Sequence, residues 1–207
     1  LKHNDLKKFK GDKFLVEIKS SFKKKGRLNY GELIIKGKSK KEILISTYIC
    51  HPAMANNETS GPAVTTMLAK YFSTKNNYFT KRIIFIPETI GSISYINMNL
   101  KKLKKNIIGG YVITCVGDER KYSYLRTKYG NSLSDYAAIS TMNKQKIKFI
   151  KYNFLDRGSD ERQFNSPKVD LTIGSVMRSK YGTYPEYHTS DDNYNLVTNK
   201  GLNDSYN

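Results

Sequence analysis

Cysteine is scarce: Cys50 and Cys115 are the two present in 207 residues, too few for a disulfide framework, and no C-x-x-C pattern offers a structural zinc site. Both end or sit within apolar, strand-like runs, where a buried free thiol is the expected state. Long apolar runs are missing too. None approaches the roughly 18 residues that suggest a membrane span, and the N-terminal stretch Leu1–Lys8 has no apolar segment resembling a signal peptide, so a cytoplasmic location is expected. There is no G-x-G-x-x-G, no Walker-type loop and no G-x-S-x-G elbow, which removes the main support for dinucleotide, nucleotide and serine-hydrolase chemistry. Acid is in deficit, with 18 Asp and Glu against 36 Lys and Arg, a formal net charge of +18. Such a surplus raises nucleic acid as a partner. Here the excess is lysine in scattered clusters (23–25, 101–102, 104–105) with no helix-turn-helix beside them, so a solvated surface is expected and nucleic acid is disfavoured.

What is present is an alternation of strand and helix patterns. Ile43 to Ile49 is β-branched and aromatic over most of its length, as in a strand buried on both faces. It empties into the polar stretch 50–60. Beyond it Pro62 suits the first position of a helix whose Val64, Met67, Leu68, Tyr71 and Phe72 share one face. Further strands are expected at Arg82–Pro87, Ile107–Val116, Phe149–Leu155 and Val169–Met177, with helices at Ser92–Lys104 and Asn131–Asn143. Two early strands, Phe14–Ile18 and Leu28–Ile35, read as an antiparallel hairpin over 14–36. The length suits one domain over 1–207, and Leu1 in place of Met suggests a piece of a longer protein. The pattern predicts an α/β fold, a mostly parallel or mixed sheet with helices on both faces.

Ligands of such sheets sit beyond the carboxyl ends of the strands. His51, Glu88 and Asp118 follow three apolar strands, Asp156 and Asp160 follow a fourth, and Tyr187 and His188 lie in the loop beyond the last. A catalytic zinc site needs about three protein ligands and one open position. His51 and His188 with a carboxylate meet that need; the alternative is two histidines merely hydrogen-bonded in loops. Glu88 at a strand end suits a metal ligand or a base, or else a charge at a helix start. Asp160 is expected to face the site, Arg157 or Arg162 to grip a substrate carboxylate, and Tyr187 to contact substrate. Asp191 and Asp192 are placed to orient His188.

Four blocks, Cys50-His51-Pro52 with 55–61, Pro87–Ser92, Leu155–Arg162 and Pro185–Ser190, resemble the bacterial aminopeptidase-like domain proteins associated with polysaccharide biosynthesis, themselves distantly similar to zinc aminopeptidases and glutaminyl cyclases. The resemblance runs in order over roughly residues 13 to 200. It implies a three-layer phosphorylase/hydrolase-like fold and a zinc-dependent hydrolase attacking an amide bond. His51 and His188 match the first and last histidine ligands, Asp160 or Asp118 completes the metal set, and Glu88 matches the glutamate region of the base. The metal-bridging aspartate of those enzymes falls at Asn57, with Glu58 beside it as a substitute. A neutral amide offers one carbonyl oxygen and no charge, so one zinc fits better than two, and none remains open. A small peptide or amide-containing substrate is implied, and a homo-oligomer stays open. The alternative is an aminopeptidase-like module that has lost catalysis and binds or scaffolds in surface-polysaccharide assembly.

Overall fold

The computed structural model describes residues 3–51 and 53–207; Pro52 of the Cys50–Pro52 motif, and Leu1 and Lys2 of the stretch read for a leader, lie outside the described residues. Seven strands form one mixed sheet in the order β1-β3-β2-β4-β7-β5-β6. They are β1 (Gly31–Ile35), β2 (Ser39–Tyr48), β3 (Phe79–Ile86), β4 (Ile107–Ile113), β5 (Tyr122–Leu125), β6 (Phe149–Tyr152) and β7 (Ile173–Met177). The helices are α1 (His3–Leu6), α2 (Ser60–Ser73), α3 (Ile90–Asn106), α4 (Leu133–Lys144), α5 (Glu161–Phe164) and α6 (Asn199–Tyr206). Among the described residues no helix is long and apolar enough to cross a membrane.

The four central strands β3, β2, β4 and β7 run parallel to one another, so their carboxyl ends share one edge. Their apolar runs are buried because both faces are covered. Leu44, Ile84, Ile86 and Val112 meet Tyr95, Ile96 and Leu103 of α3 and Phe164 of α5 on one face. Ile45, Ile83 and Ile113 meet Val64 and Ala69 of α2 and Leu202 of α6 on the other. Each such aliphatic side chain contributes about 1.5–3 kcal/mol by leaving water. Helix α2 starts at Ser60, two residues before Pro62, where a proline is still tolerated in the first turn. That start lies against the strand ends: a Cβ on Gly61 would come within 2.5 Å of the Ile113 carbonyl and of Thr47 Oγ1.

Two expectations change. The hairpin over 14–36 has only its second arm, β1, which pairs antiparallel with β3. No strand forms over 14–18 because those side chains meet no apolar surface: Leu15, Val16 and Ile18 are exposed. Strand β5 was not expected; it is antiparallel to β7 and parallel to β6. Strand β6 therefore runs against the central four, and its carboxyl end points to the opposite edge.

Two buried charged groups enclosed by this packing are tied to several partners each. In β3, Arg82 is fully buried and donates to Glu42, Glu32 and Tyr95 Oη. Ser132 caps α4 in a reciprocal pair with Asp135, which also accepts from Tyr124 Oη (3.0 Å) and from the amide (3.0 Å) and hydroxyl of Thr127. Burial opposes the Asp135 charge, but the hydrogen bonds from Thr127 and Ser132 outweigh it and hold the carboxyl below its ordinary range. A carboxyl depressed in the folded state stabilises above the unfolded value near 3.9, and that contribution is lost as pH falls through the folded value. Asp135→Ala is thus expected to cost about 1.5–3 kcal/mol at neutral pH. In urea titrations the gap to the parent protein should close only below about pH 4; a gap unchanged at acid pH would refute the charged cap.

Candidate active site

Beyond β2 the chain turns at Cys50 and His51 and enters a single π-helical turn, Ala55–Thr59, before α2. A π turn is rare and often marks a functional site, because one extra residue is squeezed out of the helix register. Here it brings Glu58 back under the strand end. The Glu58 side chain is 2% exposed, contacts His51 Nδ1 directly, and accepts from the Cys50 amide at 3.2 Å. Cys50 Sγ lies 3.4 Å from His51 Nδ1 and 3.4 Å from Glu58 Oε1, and accepts the Glu88 amide at 3.3 Å. One ligand atom from each of Cys50, His51 and Glu58 falls within 4.8 Å of the others, a donor set able to hold a metal ion.

The His188 ring stacks on Tyr187 at 3.9 Å, and its centroid is 6.2 Å from that of His51. Metal–nitrogen bonds of about 2.0–2.1 Å in a tetrahedral site bring two imidazole centroids to roughly 5 Å, so these rings would have to close by about 1 Å for both to bind one ion. Glu88 follows β3 and accepts the Ser159 hydroxyl on Oε1 at 2.6 Å. Burial, and the charges of Glu58 and Glu161, push its carboxyl above the ordinary range against the pull of Ser159 and His51. Tyr187 feels Glu88 and Glu58 as well, but burial is the main reason its phenol is pushed up to about 12.

Asp160 reaches this edge by a route other than a strand end. Since β6 points away, residues 153–160 cross back, and the start of α5 delivers Asp160 to the start of α3. Its Oδ1 accepts the Thr89 amide (2.7 Å) and Ser92 Oγ (2.8 Å), while Oδ2 is buried with no partner among the described residues. Burial first, then Glu88 and Glu161, push it up to about 7. Asn57 Oδ1 is also buried without a partner, its Nδ2 donating to Tyr48 Oη at 3.2 Å. Two orphaned buried oxygens and several crowded carboxyls at one edge are what a cation would satisfy.

Other expected residues stand elsewhere. Both oxygens of Asp118 are occupied, by Asn56 Nδ2, the Arg120 amide and the amide and hydroxyl of Ser179 at 2.9–3.1 Å. It braces loops and does not join the cluster. Arg157 turns onto Phe154, 4.6 Å over its ring and bonded to its carbonyl, while Arg162 is exposed; neither lines the groove. Asp191 is exposed and does not bond His188; Asp192 is the inward member, accepting the amides of Asn56 (2.6 Å) and Asn57 (3.1 Å) and Tyr184 Oη (3.1 Å).

The reading of the sequence missed Cys50 as a site member and Glu161 as a support. Glu161 is fully buried and accepts from the amides of Gly158 and Ser159, from Tyr181 Oη and from Ser175 Oγ. Three non-glycine residues of this edge, Thr89, Cys115 and His188, hold positive φ (59°, 50° and 58°), a conformation that surrounding structure must enforce.

A groove of about 310 Å³ opens on Ile49, Cys50, His51, Glu58, Thr59 and Pro62, and a second of about 230 Å³, which also touches Thr59, lies against Met54 and Tyr194. Burial and the neighbouring Glu58 push the Cys50 thiol up to about 12, and Glu58 contacts the same imidazole nitrogen that Sγ approaches.

Comparison with known proteins gives a consistent picture. Residues 11–207 match a family described as a domain of unknown function (DUF4910). A Clostridium acetobutylicum protein named for polysaccharide biosynthesis and an aminopeptidase-like domain is 44% identical over 195 residues, covering 94% of this chain and 44% of that protein. This chain therefore spans less than half of that relative. A crystal structure described as a peptidase from Clostridium acetobutylicum superposes with a TM-score of 0.82 at 45% identity, covering 86% of this chain and 42% of the other. The aminopeptidase from Aneurinibacillus sp. strain AM-1 (TM-score 0.72, 18% identity, 86% and 45% covered) and a glutaminyl cyclase from Porphyromonas gingivalis (0.69, 12%, 86% and 73%) share the fold.

Proposed function

The chain belongs to the DUF4910 family and has an aminopeptidase-like fold, and from that premise we propose that it is the catalytic part of a zinc-dependent hydrolase of the aminopeptidase type. The observation that carries the proposal is the meeting of Cys50, His51 and Glu58 at the carboxyl edge of the parallel strands, with the His188 ring facing His51. His51 and Glu58 would hold the ion, with the His188 ring beside them and a position left open for water. A bound zinc ion supplies a Lewis acid that polarises a carbonyl and acidifies water. Glu88 keeps Oε1 on Ser159 and uses Oε2 to move a proton between the attacking water and the departing amine. Tyr187 and the groove along Thr59 position the substrate. A groove this small suits a short peptide or another small amide, and the naming of the Clostridium relative adds amide-bearing polysaccharide precursors to the candidates. Two free thiols suit a reducing cytoplasm.

The test uses the full-length protein. One zinc per chain is expected on metal analysis, with hydrolysis of aminoacyl amides lost to a chelator and restored by zinc. Glu88→Gln should lower kcat by about 10²–10⁴ while metal content stays the same. A protein that takes up no zinc and turns over no amide after zinc is supplied would overturn the proposal and leave a binding module.

A further inference from the structure

We infer that Cys50 is itself a ligand, making this a sulfur-containing centre selective for a borderline-soft divalent cation. The inference rests on the proposed metal site and goes beyond it, because the likeness to zinc aminopeptidases carries over only histidines and carboxylates. Bonds of about 2.3 Å to sulfur and 2.0–2.1 Å to nitrogen or oxygen would set the sulfur roughly 3.5 Å from each neighbouring ligand atom, and His51 Nδ1 and Glu58 Oε1, now in direct contact, would part to about 3.3 Å. Cys50 Sγ stands 3.4 Å from His51 Nδ1 and 3.4 Å from Glu58 Oε1.

The direction of the thiol is fixed from outside. The Glu88 amide donates to Sγ at 3.3 Å, and the Cys50 amide donates to Glu58 Oε2 at 3.2 Å, so backbone on two elements holds sulfur and carboxylate on one side of the imidazole. An amide donating to sulfur also favours its anionic form, as an outer partner does for a bound ligand. On ligation the thiol proton and the proton shared by His51 and Glu58 leave to solvent, and the new bonds to the ion replace those hydrogen bonds. Without an ion the same thiol stays protonated among carboxylates. Sulfur in the set shifts preference away from magnesium and calcium, which take oxygen ligands, toward zinc, cobalt and cadmium.

Cobalt(II) loaded into the full-length protein is the probe. The expected result is a near-ultraviolet sulfur-to-cobalt charge-transfer band, lost in Cys50→Ser while the cobalt content of the variant stays at the parent level, and unchanged in Cys115→Ser. Cobalt bound stoichiometrically with no such band in the parent protein would overturn the role of Cys50 and leave the metal site standing. A band that survives Cys50→Ser would overturn it equally. No cobalt uptake would overturn both readings. If Cys50→Ser fails to fold, Cys50→Ala judged by circular dichroism takes its place, and cadmium absorbance gives the same readout.

Discussion

Replacing Asn57 by Asp is expected to raise the zinc content of the full-length protein from one ion per chain to two. Asn57 is buried in the π turn, one residue before Glu58, and its Oδ1 has no partner among the described residues. The resemblance of the sequence to zinc aminopeptidases implies that Asn57 falls at the position of a carboxylate bridging two ions. An amide presents one oxygen and no charge, so it cannot neutralise a second cation; a carboxylate presents two oxygens and a full charge. The swap is nearly isosteric, and the Tyr48 phenol that now accepts from Asn57 Nδ2 would have to turn its hydroxyl away from Thr114 Oγ1 to donate to the new carboxylate. Metal analysis after dialysis, with titration calorimetry showing a second binding step, is the measurement. A stoichiometry fixed at one ion would mean that the remaining donors are set for a single metal whatever stands at 57.

Arg82→Ala should be the most damaging single change to stability, at about 3–5 kcal/mol, the range for breaking a buried ion pair from one side. Arg82 is fully buried in β3. Its Nη2 reaches Glu42 Oε1 at 3.1 Å, its Nε reaches the other oxygen, and Nη1 serves Glu32 and Tyr95 Oη, the latter at 3.1 Å. Most of the cost comes from Glu42, which is nearly as buried and would be left charged and unpaired. Arg82→Met combined with Glu42→Gln should therefore recover much of the loss. Urea midpoints of the single and combined variants decide it: a single-variant loss below about 1 kcal/mol would place Arg82 in the class of surface pairs.

Strands β2, β3 and β4 and helices α2, α3 and α4 were legible because burial on known faces writes itself into apolar spacing. Strand β5 was not, since four residues, Tyr122–Leu125, leave too little period to read. Helix α6 was missed for another reason: Asn199–Tyr206 is mostly polar and owes its place to Leu202 and Tyr206 packing on the α2 face. The first arm of the hairpin failed because alternation names a strand but not a partner for it.

The site divides in the same way. The placement of His51 and Glu88 just past strand ends follows from a rule of topology that sequence carries. Asp160 reaches the same edge by a different route from the one expected, since β6 runs the other way and the chain returns to deliver it. Choosing Asp192 over Asp191, or seeing Arg157 fold onto Phe154, needs side-chain directions in irregular loops, which spacing does not encode. A buried free thiol is the commoner reading of Cys50 and a metal role the rarer one, because a single cysteine carries no ligand pattern of its own; no periodicity announces the return of Glu58 to it through the π turn.

The buried carboxylates that do not reach the metal cluster have a consequence for how that cluster comes into being. Asp118, Asp192 and Glu161 each tie down loop amides or hydroxyls behind the site and find all their partners within the chain. In a zinc finger the ion assembles the fold, and stripping it unfolds the chain. Here the loops are clamped by the chain's own hydrogen bonds, so on the proposed metal reading an ion would fill a site and not assemble a fold.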